Sequence, residues 1–288
     1  MLDQMVFEYG NYLTFQRNLS CLTLSAQNGW SLLILNSERA NERYFSVRLQ
    51  RTRAAGFDFD GALIEGAHLR LLREVMEERA RAADQKEADK YYTLIGQTEE
   101  WITVAVARIA EHLRGRLTRG HIAERLDRLP PRSGAVDLLR HYCNRSGVMV
   151  GSLGVKSYIA PWCAHYLSPS DRSVEVAALD LTWDEQGFCN GFDPASIVTD
   201  RNKGEWFHEF CLRRGIAQKD SLVLGDSPRT DASLLRAGGV RVLLWPVTGV
   251  SESAETDRLR TISDLWPDLD AVLIGDSLKP LVEILRAA

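Results

Sequence analysis

From Arg132 to the C-terminus, helical and extended stretches alternate, and this rhythm constrains the fold more than any other feature of the chain. Ala135 to Cys143 reads as a helix, Val148 to Gly151 as a strand, and Ser157 to Tyr166 as a helix. Val174 to Leu181 reads as a strand leading into the turn DEQGFCNG, and Lys203 to Gly215 as a helix that ends on glycine. Strands over Ser221–Leu224, Val240–Trp245 and Ala271–Gly275 alternate with helices over Asp231–Ala237 and Leu278–Ala287. Strictly alternating elements of these lengths predict an α/β fold: a mostly parallel sheet with helices on both faces.

Ligands in such a sheet bind beyond the carboxyl ends of the strands, so the residue that each strand delivers there matters most. An earlier apolar run, AAGF, delivers Asp58 and Asp60 in FDFDGAL. Two carboxylates two residues apart can divide labour, one attacking phosphorus and the other moving protons. VMVGS delivers Ser152, whose hydroxyl, with nearby backbone N–H groups such as that of Leu153, can hold a phosphoryl oxygen. Lys203 opens a helix after the loop VTDRN, where an ammonium can neutralise developing negative charge. SLVL delivers GDSPRTD, with Asp226 and Asp231 placed to hold Mg²⁺ together with Asp58. Each piece alone is weak: acidic loops are often plain turns, a serine after a strand often only starts one, and most lysines are solvated. Their order and spacing carry the specificity.

The rest of the chain divides in two. Residues 1–53 read as a β-rich extension: LSCLTLSA and WSLLIL flank Asn28-Gly29, a hairpin signal, and YFSVRL at Tyr44–Leu49 alternates like a third strand. Residues 67–130 read as three or four helices, with Leu69, Leu72, Val75 and Met76 forming one stripe and Trp101, Val104, Ala105, Arg108 and Ile109 another. Pro130-Pro131 ends this block. The core would then comprise 54–66 and 131–288.

At 288 residues with 45% hydrophobic content, the chain can bury a substantial core. A net charge of −4 argues against a general polyanion binder, so no nucleic-acid partner is expected. The start, MLDQMVFEYGNYLTFQ, lacks a basic region followed by an apolar run, and no stretch is apolar enough for a membrane helix. Cys21, Cys143, Cys163, Cys189 and Cys211 have no metal-ligand spacing and are odd in number, which fits free thiols in a reducing compartment. A soluble, cytoplasmic protein is expected, with its oligomeric state left open.

The series D-x-D-G, strand-Ser, Lys, strand-GD-S-x-x-x-D resembles the four signature motifs of the haloacid dehalogenase (HAD) superfamily, over about 54–66 and 132–250. GSLGVKSYIAPW and DLTWDEQGFCNGF are further similar to segments of its phosphoserine-phosphatase-like branch. The resemblance implies a Rossmann-like core with an inserted helical C1-type cap at 67–130. It implies Asp58 as nucleophile, Asp60 as general acid and base, Ser152 and Lys203 as phosphoryl-binding groups, and Asp226 with the Asp60 carbonyl as ligands of a Mg²⁺ cofactor. The implied activity is hydrolysis of a small phosphomonoester through an aspartyl-phosphate. A phosphomutase, or a non-catalytic binding or scaffold protein of the same fold, is the alternative. Ala62 stands where the family usually has threonine, and Thr230 and Asp231 compete for the second acidic place of the last motif.

Some features read as structure. A second G-D-S at Gly275–Ser277 has no acidic partner after it and reads as a loop. The six histidines form no ligand-spaced set. Arg114, Arg116 and Arg119 read as a solvated helix end, or alternatively as a grip on an anionic leaving group.

Overall fold

The computed structural model describes residues 22–26, 30–34, 42–66, 110–168, 174–246 and 269–287. The stripes read over 67–109, Trp101 among them, lie outside these residues.

The alternating half folds as its rhythm predicts. Strands β3 (Ala54–Phe57), β4 (Val148–Val155), β5 (Val174–Leu179), β8 (Ser221–Gly225), β9 (Val240–Trp245) and β10 (Ala271–Ile274) make six parallel strands. Their order is β5-β4-β3-β8-β9-β10. β3 and β8 are buried at every residue, as strands sandwiched between two helical layers must be. Between β5 and the next helix, β6 (Leu181–Trp183) and β7 (Cys189–Phe192) form a small antiparallel hairpin.

The strands β1 (Leu22–Ala26) and β2 (Trp30–Ile34) pair antiparallel. β2 also pairs antiparallel with β10, so this hairpin continues the core sheet to eight strands. The third strand read at Tyr44–Leu49 is instead a helix, α1 (Glu42–Arg51). Six residues of alternating character satisfy both periods. Phe45 and Leu49, four apart, are both buried, while Tyr44 stays exposed under the Arg48 guanidinium. Arg48 also pairs with Asp270 and the Gly239 carbonyl, which ties α1 to the starts of β10 and β9.

Further α-helices are α2 (Arg119–Ala123), α3 (Ala135–Cys143), α4 (Lys156–Tyr166), α5 (Lys203–Arg213), α6 (Ala232–Ala237) and α7 (Lys279–Arg286). α2 begins with a capping box in which Thr118 and His121 bond each other's backbone, which gives His121 a structural role. No helix among the described residues is long and apolar enough to cross a membrane.

Two tests follow from this packing. Gly134 has φ 86°, and a Cβ there would meet the Lys279 backbone nitrogen at 2.6 Å. Gly134→Ala should therefore destabilise the fold by roughly 1–3 kcal/mol, read from urea unfolding. Cys163 and Cys211 are buried, and burial pushes their thiols up to about 12 and about 11. In alkylation at pH 8 followed by peptide mass mapping, both should react orders of magnitude more slowly in the native than in the unfolded protein, while half-buried Cys143 reacts sooner.

Candidate active site

The site forms where strand order reverses, at the carboxyl ends of the neighbours β4, β3 and β8. β3 runs straight into Asp58, whose backbone N–H donates to the Leu224 carbonyl at 2.9 Å. The chain then turns tightly: the amides of Leu63 and Ile64 donate to the Phe59 carbonyl at 3.0 and 3.2 Å, and that of Gly61 to the Gly66 carbonyl at 2.9 Å. Phe59 anchors the turn by packing edge-on against Trp162, centroids 5.1 Å apart, a pair worth about 0.5–1.5 kcal/mol beyond its burial. Gly61 has φ 79°, and a Cβ there would lie 2.1 Å from Asp226 Oδ2. The absent side chain lets Asp226 seat directly on the turn.

β4 continues past its expected end at Gly151 to Val155, with a register shift between those residues. Ser152 lies in that irregularity, where a bulge re-aims side chains. It is almost fully buried, and its Oγ accepts from the Gly154 amide at 3.0 Å. Leu153 follows within the same bulge.

Lys203, at the start of α5, is completely buried, and its Nζ donates to Asp58 Oδ1 at 2.7 Å and to Asp231 Oδ1 at 2.6 Å. A buried ammonium needs such partners. Burial works against its charge, but the Coulomb pull of Asp231 and Asp58 outweighs that and raises its pKa. For Asp58, burial comes first and pushes the carboxyl well up; Asp231, Asp226 and Asp60 add to the push, and Lys203 opposes it.

The carboxylates of Asp58, Asp226 and Asp231 offer oxygens within 4.8 Å of one another, a group that can hold a metal ion. Hard oxygen donors of this kind suit Mg²⁺. Within the group the roles differ. Asp231 Oδ1 takes the Lys203 ammonium, and its Oδ2 accepts the backbone amides of Asp226 and Ser227, each at 3.0 Å. These bonds fold the loop that presents Asp226.

Asp60, like Asp226, is half-buried and stands two residues from Asp58 on the same turn. Glu65 is exposed. Of the three arginines in the basic stretch, Arg114 donates to the Asn190 carbonyl at 3.0 Å and Arg119 lies over the Trp183 ring at 5.5 Å, so both reach the β6–β7 hairpin. Arg119 and Trp183 line a cavity of about 250 Å³ with Ile122, Ala123, Ser157 and Pro161.

One residue escaped the sequence reading. The buried Arg132 donates through Nη2 to the Gly61 carbonyl at 2.8 Å and through Nε to the Ala62 carbonyl at 3.1 Å. Its partners lie about seventy positions away, and its only local signal is its place after Pro130-Pro131.

The fold is similar to that of solved phosphoserine phosphatases and HAD-family hydrolases, at low sequence identity. A phosphoserine phosphatase solved as a phospho-aspartyl intermediate analogue superposes with TM-score 0.55 at 17% identity, over 81% of this chain and 98% of the other. A HAD-family hydrolase from Salmonella enterica serovar Typhi superposes with TM-score 0.58 at 14% identity, over 85% and 86%. Cytosolic 5′-nucleotidase IIIB bound to cytidine gives TM-score 0.55 at 14% identity, over 89% and 93%. No family model and no curated protein matches the chain by sequence.

The strained charge of Asp58 yields a test. Its folded-state pKa is raised, so ionisation costs stability once pH exceeds the unfolded value of about 3.9. In EDTA at pH 7, Asp58→Asn should raise Tm by several degrees, because Lys203 keeps Asp231 as a partner and the repulsion among carboxylates falls. That gain should shrink as pH is lowered toward 4, read by thermal melts across pH.

Proposed function

We propose that this protein is a magnesium-dependent phosphomonoesterase acting on a small phosphorylated metabolite through an aspartyl-phosphate at Asp58. The observation that carries the reading is the buried Asp58–Lys203–Asp231 triad beside Asp226, gathered from the ends of the adjacent strands β3 and β8 and the start of α5. The HAD phosphatase fold supports it.

Asp58 and Asp226, with the Asp60 carbonyl, would hold Mg²⁺, since Asp231 is committed to Lys203 and to two amides. The bound ion would shield an anionic nucleophile from an anionic substrate. Lys203 grips Asp58 Oδ1, so Oδ2 is the attacking oxygen. It forms a bond to phosphorus as the bond to the ester oxygen breaks, and Asp60 gives that oxygen its proton. Asp60 then takes a proton from water, whose oxygen attacks phosphorus and expels the Asp58 carboxylate with inorganic phosphate. Ser152 and the backbone at Leu153 bind phosphoryl oxygens, and the Lys203 ammonium offsets the charge that builds on them. Residues 67–130 would form a cap that closes over the site and excludes water from the first step.

Phosphate release from a panel of phosphomonoesters, with Mg²⁺ and with EDTA, tests the reading. Release should require the metal, vanish in Asp58→Asn, and fall about 10²–10⁴-fold in Asp60→Asn. Activity retained by Asp58→Asn would sink the assignment. Isomerised ester without net phosphate release would indicate a mutase instead.

A further inference from the structure

We infer that Arg132 is the positioning residue for the catalytic turn that carries Asp58 and Asp60, and that Asp276 completes it. For its turnover readout, the inference rests on the phosphatase reading.

One residue holds three successive carbonyls of that turn. The Arg132 guanidinium donates to the Gly61 and Ala62 carbonyls at 2.8 and 3.1 Å, and its backbone N–H donates to the Leu63 carbonyl at 2.8 Å. A planar guanidinium carries its donors in a rigid fork, so it sets the spacing and tilt of adjacent peptide planes as a flexible lysine cannot. The first held carbonyl belongs to Gly61, the residue next to Asp60 and the one on which Asp226 packs. Displacing it would shift both the acid–base carboxylate and the seat of a metal-facing one.

Arg132 is only 3% exposed, so its charge needs an anion. Asp276 supplies it, with Oδ1 3.4 Å from Nη1. Asp276 belongs to the second G-D-S, in the loop between β10 and α7. That loop is fastened beside Arg132: the Leu278 amide donates to the Ser133 carbonyl at 2.7 Å, and Ser133 bridges to Ser277. The second G-D-S is thus a brace for the first motif. The brace also accounts for Ala62. Residue 62 has no hydroxyl to position the turn, its side chain is fully buried, and its carbonyl is held from outside by Arg132.

The test uses the full-length protein and the variants Arg132→Lys, Arg132→Met and Asp276→Asn. Hydrogen exchange by mass spectrometry is read over residues 58–66 and, as a control, over β8 and β9. Mg²⁺ affinity is read by calorimetry, and kcat and KM on the best panel substrate. Arg132→Met should speed exchange at 58–66 about tenfold while the control strands stay protected. It should also weaken Mg²⁺ binding about tenfold and lower kcat about 10²-fold, with KM changed less than about threefold. Arg132→Lys and Asp276→Asn should fall between it and wild type. If Arg132→Met does not fold, those two variants decide. Exchange that rises uniformly through the sheet, or wild-type kcat and Mg²⁺ affinity in Asp276→Asn and Arg132→Lys alongside a lowered Tm, would overturn the inference. Absence of turnover in wild type would defeat the phosphatase reading alone, and exchange at 58–66 would still decide the role of Arg132.

Discussion

Everything at this site depends on a buried lysine held between two aspartates. Lys203 has no contact with solvent, and it bonds Asp58 on one side and Asp231 on the other. Removing an ammonium from water costs several kcal/mol, which only close, hydrogen-bonded anions recover. The same argument reversed applies to the carboxylates, three of which offer oxygens within 4.8 Å of one another. The ammonium between Asp58 and Asp231 offsets the repulsion of like charges at this spacing. One ammonium therefore joins the end of β3, the start of α5 and the loop after β8 into a single electrostatic unit.

Asp231 shows how that unit builds outward. Its second oxygen accepts two consecutive amides, those of Asp226 and Ser227, so the carboxylate that binds the lysine also shapes the loop that presents Asp226. Asp226 in turn rests on Gly61, where even a methyl group would collide with it. The acidic cluster is thus a closed set of contacts across elements that the chain delivers far apart. Around it, the turn after β3 is restrained on two sides, by Phe59 against Trp162 and by Arg132 on its carbonyls. Such restraint from outside the reacting groups is what holds a carboxylate in one geometry while it carries an unfavourable charge.

The periodicity of the chain and its strand-end residues determined a great deal without coordinates. A parallel sheet flanked by helices follows from alternating apolar runs, because each run has one way to bury its surface. Asp58, Ser152 and Asp226 could be read as companions because each follows an apolar run that reads as a strand, and Lys203 because it opens a helix after a loop. The strands read on either side of Asn28-Gly29 pair antiparallel as β1 and β2.

Tertiary structure alone decided the rest, and the reason is the range of the interactions. Tyr44 to Leu49 is too short to separate a period of two from one of 3.6, and it became a helix because Phe45 and Leu49 found buried places together. That β2 would pair with β10 depends on an edge left open some 240 residues later, which no local signal carries. That Asp231 also holds Lys203 and the amides of Asp226 and Ser227 is visible only in the folded chain. Arg132 and Asp276 looked like a helix-stop neighbour and a stray G-D-S. Their meaning lies in hydrogen bonds spanning 70 and 144 positions, and a sequence states such contacts only after it has folded.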